Sequence, residues 1–257
     1  MSTRRPHHLA DMTTTEAAQA VAAGTVVLLP AGAFEQHGPG MALSTDLVRA
    51  EAVCAAVAAE LSGRAVVGPV VPVGISPHHL AFAGTVSLRT STFVAVVRDY
   101  VTSLHRHGWR RVLVVTGHGG NNAALTTLAQ DMLVDLPDLE LAWTPLTSLA
   151  AEEVAALDPP EVHGHSGEAE TAQMLHVAPH LVHPDLLEPG TTSLDQLDRL
   201  GRVARTHGKP ALTLPYDRLS AIGVLGDPRR ATADDGAAVV KAITSRITSF
   251  VEDWLAA

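Results

Sequence analysis

Between Thr25 and Thr144, short runs of aliphatic and β-branched residues alternate with longer Ala-rich stretches, and this alternation constrains the fold more than any other feature. Thr25-Val26-Val27-Leu28-Leu29, ended by Pro30, reads as a strand, as do residues 65–73, 111–116 and 139–144. The 25–29 and 111–116 runs lack a polar alternate face, the pattern of strands buried on both sides. Residues 46–61, 93–107 and 122–136 space their apolar positions at helical period; Gly63 stops the first and Gly108 follows the second. Such spacing suits right-handed βαβ units, so the expected class is α/β with a mainly parallel sheet covered by helices. A short strand at 85–88, a helix opening at Glu168–His176 and a closing amphipathic helix at 233–255 complete the reading. Residues 184–230, rich in Pro, Gly and Thr, form a long excursion. With no repeat and no linker, residues 1–257 are expected to form a single domain.

Composition narrows the function classes. Hydrophobic residues make up 46% and charged ones 18% of the 257 residues, so a sizeable core is expected and disorder is not. A net charge of −9 argues against nucleic acid as a partner. The longest apolar run, Val26 to Phe34, is broken by Pro30 and Gly32 and falls far short of the ~20 residues of a membrane span. Arg4 and Arg5 are followed by Asp11 and Glu16 rather than by an apolar h-region, so a cytoplasmic location is expected. The single cysteine, Cys54, excludes an internal disulfide and a thiolate zinc knuckle, and reads as a packing residue. Fourteen histidines exceed the combined Phe, Trp and Tyr, which directs the search toward a metal site.

In open parallel sheets, ligands gather outside the carboxyl ends of the strands. Three polar clusters follow strand ends here: Glu35-Gln36-His37, Gly117-His118-Gly119-Gly120-Asn121-Asn122, and His163 to Thr171. Glu35 and His37 are two residues apart, so an extended backbone turns both to one side. With Asp46 they form an oxygen and imidazole set that suits Zn²⁺, Mn²⁺ or Fe²⁺. Asp46 alone reads equally as a helix cap. The glycines around His118 either cradle an anion or let the imidazole approach a metal; no G-x-G-x-x-G or Gly-Lys-Ser/Thr supports a nucleotide loop. Asn121 or Asn122 is expected to cap the helix that follows. In the third cluster Glu168 stands where a nucleophile elbow needs glycine, so a serine hydrolase does not fit. Glu170 points back toward the loop, and His165 is a better proton shuttle than His163. One of His78 and His79 is expected in the pocket. His105 and His107 favour a helix C-terminus, and His176, His180 and His183 read as surface residues.

The segments Leu29–Pro39 with Thr45-Asp46, Gly84–Leu88, Thr116–Asn121 and His165–Thr171, in this order, resemble the signature of the creatininase family of metal-dependent amidohydrolases. The resemblance implies a three-layer α/β/α subunit, often a homo-hexamer, with two divalent metals (Zn, Mn or Fe) at the strand ends. It implies Glu35, His37, Asp46 and His118 as metal ligands, with Asp46 bridging. Creatininase proper carries a further glutamate where this chain has Gly120, so Glu170 is the candidate for the missing ligand and creatinine is disfavoured as substrate. Gly40 and Ala42 stand where many members have His and Pro, which would widen the pocket mouth or change its polarity. The expected function is a metal-dependent amidohydrolase cleaving an amide-type C–N bond in a small cyclic or formylated molecule through an activated water, with His165 and Glu170 as catalytic residues. The alternative is a family peptidase trimming a cofactor-precursor peptide, with Gly40 and the 184–230 segment rimming its groove. A non-catalytic metal-binding scaffold is disfavoured by the complete ligand set.

Overall fold

Runs without a polar face need cover on both sides, and the computed structural model, which describes residues 5, 7–207 and 210–257, shows how they obtain it. Arg4 and residues 208 and 209 of the excursion lie outside the described residues. The elements run α1 (Thr14–Ala22), β1 (Val26–Ala31), α2 (Thr45–Glu60), β2 (Ala65–Val67), α3 (Thr90–Arg106), β3 (Arg111–Thr116), α4 (Asn122–Asp135) and β4 (Glu140–Pro145). They continue as α5 (Ala151–Ala155), α6 (Glu168–Val177), α7 (Arg199–Thr206) and α8 (Ala233–Ala256). All strand pairings are parallel, in the order β2-β1-β3-β4.

Successive β1 residues point to opposite faces and so meet different helices. Val26 and Leu28 share a core with Val53 and Val57 of α2 and Ile243 and Ile247 of α8. Val27 and Leu29 pack with Phe93 and Val97 of α3 and Leu125 and Leu128 of α4. The result is the expected three-layer α/β/α arrangement. Cys54 is fully buried in the α2 face of this core.

Several boundaries differ from expectation for identifiable reasons. Pro30 does not end β1, which continues through Ala31. The Pro30 carbonyl points to the β2 side and accepts from Val71 (2.9 Å), so the missing N–H falls where β2 has already ended. β2 itself stops at Val67 because Gly68, Pro69 and Pro72 interrupt the expected 65–73 strand. Residues 85–88 form no strand; only an isolated bridge joins Val86 to Phe34. The excursion contains α7, which Asp198 caps by accepting from the Gly201 amide (2.7 Å). α1 begins with a Thr13/Glu16 capping box. Among the described residues no helix is long and apolar enough to cross a membrane.

The strand order reverses between β1 and β3, because the chain leaves β1 toward β2 and then returns to the other side of β1. The crevice at such a switch point, outside the strand carboxyl ends, is where a doubly wound sheet presents a site. Glu35 and His37 follow β1, and His118 follows β3.

Candidate metal centre

Three loops are pinned together by one side chain. Asn121 accepts from the Ile75 amide (3.0 Å) and donates to the Gly32 carbonyl (3.0 Å) and to Thr116 Oγ1 (3.2 Å). Asn121 occupies the N-cap position of α4 as expected, but its side chain makes these contacts in place of a cap hydrogen bond. Asn122 instead lines the cavity, with its Oδ1 buried and unpartnered. A Cβ at Gly117 would overlap the Asp46 carbonyl, so only glycine lets the end of β3 approach the start of α2 this closely. Asp46 does not cap α2, whose N-cap is Ser44; its carboxylate turns into the crevice.

There the sequence-predicted residues meet. His118 Nδ1 lies 3.2 Å from Glu35 Oε1 and 3.3 Å from Asp46 Oδ2. His37 Nε2 lies 3.4 Å from Asp46 Oδ1 and 3.7 Å from Glu170 Oε2. His165 Nδ1 is 3.6 Å from Glu35 Oε1 and 3.9 Å from Glu170 Oε2. Yet both Glu35 oxygens, His37 Nε2 and Asp46 Oδ2 are buried without a hydrogen-bond partner. Leaving such groups unpaired is costly, so a convergent set of them marks a place built for a ligand. Oxygen and imidazole donors from Glu35, His37 and Asp46, all within 4.8 Å of one another, have the chemistry to hold a divalent cation.

The outer contacts orient these donors. His37 Nδ1 donates to the Glu35 carbonyl (3.1 Å), and His118 Nε2 donates to the Ile75 carbonyl (2.9 Å). In the neutral form of each ring the other nitrogen is then a lone pair facing the carboxylates, as a ligating imidazole requires. His165 Nε2 donates to the Gln36 carbonyl (2.8 Å), which turns its Nδ1 lone pair to the centre. Ser166 holds this loop: it has a positive φ of 56°, donates its hydroxyl to the His37 carbonyl (2.7 Å) and its amide to Glu170 Oε2 (2.7 Å).

The electrostatics divide the imidazoles. Burial pushes His37 down, but the Asp46, Glu170 and Glu35 carboxylates overcome it and raise it to about 9. His118 is likewise raised well above the usual range, burial being outweighed by Asp46 and Glu35. Asp46 is held well below the carboxylate range despite burial, chiefly by His37. The crevice thus calls for positive charge beside these groups. His165 is lowered by burial and by His37, and His78 is lowered to about 4 by burial and by His118.

Both His78 and His79, not one of them, line the cavity of about 510 Å³ that opens over the centre. His79 Nε2 lies 3.5 Å from Glu35 Oε1, and the His78 ring stacks on His118 at 5.6 Å. His163 lines the same cavity, but its Nδ1 donates to the Pro160 carbonyl (2.8 Å), and it does not join the cluster. Glu168 Oε1 accepts from the Asp227 amide (2.7 Å), tying α6 to the excursion. Gly40 is not at the mouth: it is buried against Leu187, so its small size does not widen the cavity. His105 pairs with Asp138 (2.7 Å), while His107, His176, His180 and His183 are exposed.

Three residues escaped the sequence reading. Arg49, 1% exposed, reaches Glu170 Oε1 (2.7 Å), Asp46 Oδ1 (3.4 Å), Thr147 Oγ1 (2.7 Å) and Gln173 Oε1 (3.2 Å). Its signal was a basic residue three positions after Asp46 in an otherwise Ala/Val-rich helix. Gln36, which the sequence places in the first polar cluster without a role, has its Nε2 2.8 Å from His79 Nδ1 and 3.1 Å from the Gly223 carbonyl. Tyr216, from the excursion, packs its ring 4.1 Å from His79 and 5.2 Å from His165. Its phenol is pushed up to about 12 by burial. No local pattern announced it.

The family model described as creatinine amidohydrolase matches residues 10–251. The mycofactocin precursor peptide peptidase of Mycolicibacterium smegmatis is 32% identical over 234 residues, covering 89% of this chain and 85% of that one. Its counterpart in Mycobacterium ulcerans is 30% identical over 259 residues, with 98% and 94% covered. The creatinine amidohydrolase of Pseudomonas putida is 29% identical and covers 91% of each chain. Among solved structures, a manganese form of creatininase superposes with a TM-score of 0.81 at 25% identity, covering 96% of this chain and 98% of that one. A creatininase variant in a Zn–Zn form gives 0.81 at 26% identity, covering 96% and 97%. With its model matched along nearly the whole length, this chain belongs to the creatininase family and is a metal-dependent hydrolase of that family.

Proposed function

We propose that this protein hydrolyses an amide C–N bond of a peptide at a divalent-metal centre held by Glu35, His37, Asp46, His118 and Glu170. The observation that carries the metal centre is the set of buried, unpartnered donor atoms on Glu35, His37 and Asp46. Bound there, a divalent cation supplies Lewis acidity, polarising the substrate carbonyl and lowering the pKa of water toward ~7. Zn²⁺, Mn²⁺ and Fe²⁺ all suit these donors, and the manganese and zinc forms of related creatininases support the first two.

The chain's own residues supply the proton chemistry. His165 stays neutral through burial, and the Gln36 carbonyl fixes its tautomer, so its Nδ1 lone pair takes the proton of the attacking water. The same nitrogen then delivers that proton to the departing amine. Glu170 Oε2, near both His37 and His165, serves as a ligand or orients His165.

Two observations favour a peptide over a small ring. The relatives at 30–32% identity are peptide peptidases. In addition, a second cavity of about 370 Å³ shares His78, Gly120 and Tyr216 with the first, extending the space beyond the centre. A small cyclic or formylated amide is the second reading, supported by the 29% identity to a creatinine amidohydrolase. A homo-oligomer is expected from the family resemblance. The test incubates metal-loaded protein with short peptides, creatinine, lactams and formamides. Release of terminal residues from the peptides is expected; turnover of rings or formamides alone would overturn the peptide assignment.

A further inference from the structure

We infer that the Arg49 guanidinium is a resident positive charge that makes the two sides of the centre unequal, with a tight divalent-cation position beside Glu35 and His118 and a weak one beside His37 and Glu170. This inference rests on the metal-centre reading above and adds to it an order of filling.

The asymmetry lies in which oxygens are already engaged. On the His118 side, both Glu35 oxygens and Asp46 Oδ2 have no hydrogen-bond partner. On the His37 side, every oxygen meets a donor. Asp46 Oδ1 and Glu170 Oε1 face Arg49 Nη1 at 3.4 and 2.7 Å, and Glu170 Oε2 accepts from the Ser166 amide at 2.7 Å. A cation arriving there must share oxygens with a guanidinium a few ångströms away, in a place where burial removes the screening of water. The arginine cannot give way by losing its proton. Nor can it swing aside, because Nη2 is held by Thr147 Oγ1 and Nε by Gln173 Oε1.

Charge balance agrees. Glu35, Asp46 and Glu170 with Arg49 sum to two negative charges, which one divalent cation neutralises. A second cation enters without uncompensated negative charge to meet it.

The experiment is equilibrium dialysis of the chelator-stripped full chain against Mn²⁺, with bound metal counted per chain and folding checked by circular dichroism. The wild type is expected to bind one equivalent tightly and a second at least about tenfold more weakly. Arg49→Met, which keeps a stem but no charge, is expected to tighten the second equivalent about tenfold and leave the first unchanged. Arg49→Lys, which retains the charge, is expected to keep the gap. Two equal equivalents in the wild type overturn the inference without any variant. So does an Arg49→Met isotherm with an unchanged or wider gap. If Arg49→Met does not fold, a gap abolished in folded Arg49→Lys likewise overturns it. A wild-type chain that binds no Mn²⁺ at any concentration removes the metal centre itself, a failure distinguishable from two equal sites.

Discussion

Gly120 lies against the ring of His118: a Cβ there would overlap both His118 Nε2 and the Ile75 carbonyl oxygen. Those two atoms form the hydrogen bond (2.9 Å) that turns His118 Nδ1 toward Glu35 and Asp46. Gly120→Ala is therefore expected to destabilise the fold by about 1–3 kcal/mol. It should also weaken divalent-cation binding by about 10–100-fold through the misdirected imidazole. Urea unfolding and metal dialysis measure the two effects separately. Gly120→Glu, although it restores the residue found in creatininase proper, is expected to gain no creatinine hydrolysis because its first carbon already has no room.

Gln36 connects the three histidine loops without touching the predicted cation positions. Its Oε1 accepts from the Gly38 amide (2.8 Å), and its Nε2 serves the Gly223 carbonyl and His79 Nδ1. Gln36→Leu leaves these buried groups unpaired, a loss of about 1–3 kcal/mol. His79, whose Nε2 lies 3.5 Å from Glu35 Oε1, then loses the bond that fixes its ring and tautomer. The expected signature is a lower kcat with bound metal unchanged. Loss of metal in proportion to activity would contradict this division of labour.

Cys54 offers a pH dependence that is independent of the site. Burial pushes its thiol far above the ordinary 9.0. Below that ordinary value the thiol is protonated in both folded and unfolded chains, and its linked stability is fully present. Above it, the unfolded thiol ionises while the folded one does not, so stability falls as pH rises. The measurable outcome is a wild-type unfolding free energy that drops between pH 8 and 10 relative to Cys54→Ala. A thiol reagent at pH 8 should react only as the chain unfolds, and rapid reaction of the native protein would contradict the burial.

Much of this arrangement was legible in the residues. The Val/Leu runs identified strands buried on both faces, and the clusters after β1 and β3 marked the sheet edge where Glu35, His37 and His118 meet. Local pattern failed where the deciding contact is distant. Pro30 looks like a strand end until the early termination of β2 shows that its absent N–H has nothing to pair with. Asn121 reads as a cap by position, but Gly32, Ile75 and Thr116 engage its amide from three other segments. Gly40 reads as a pocket mouth because many members of the family carry histidine there, yet Leu187 covers it. Tyr216 reaches the histidines from a segment without periodicity, and Arg49 is explained largely by Thr147, Glu170 and Gln173, which lie 98 to 124 residues later in sequence.

His165 and Asp46 separate catalysis from metal holding. His165→Ala removes the proposed proton carrier but none of the unpartnered donor atoms of Glu35, His37 and Asp46, so turnover should fall about 10²–10⁴-fold with the metal retained.

The most direct measurement is the divalent-metal content of purified Asp46→Ala beside that of the wild type after identical dialysis. Among the described residues Asp46 is the only carboxylate lying within 3.4 Å of both His37 and His118, so its removal should leave the folded chain with no tightly held metal and no activity. A folded Asp46→Ala protein that retains the wild-type metal content would contradict the centre described here.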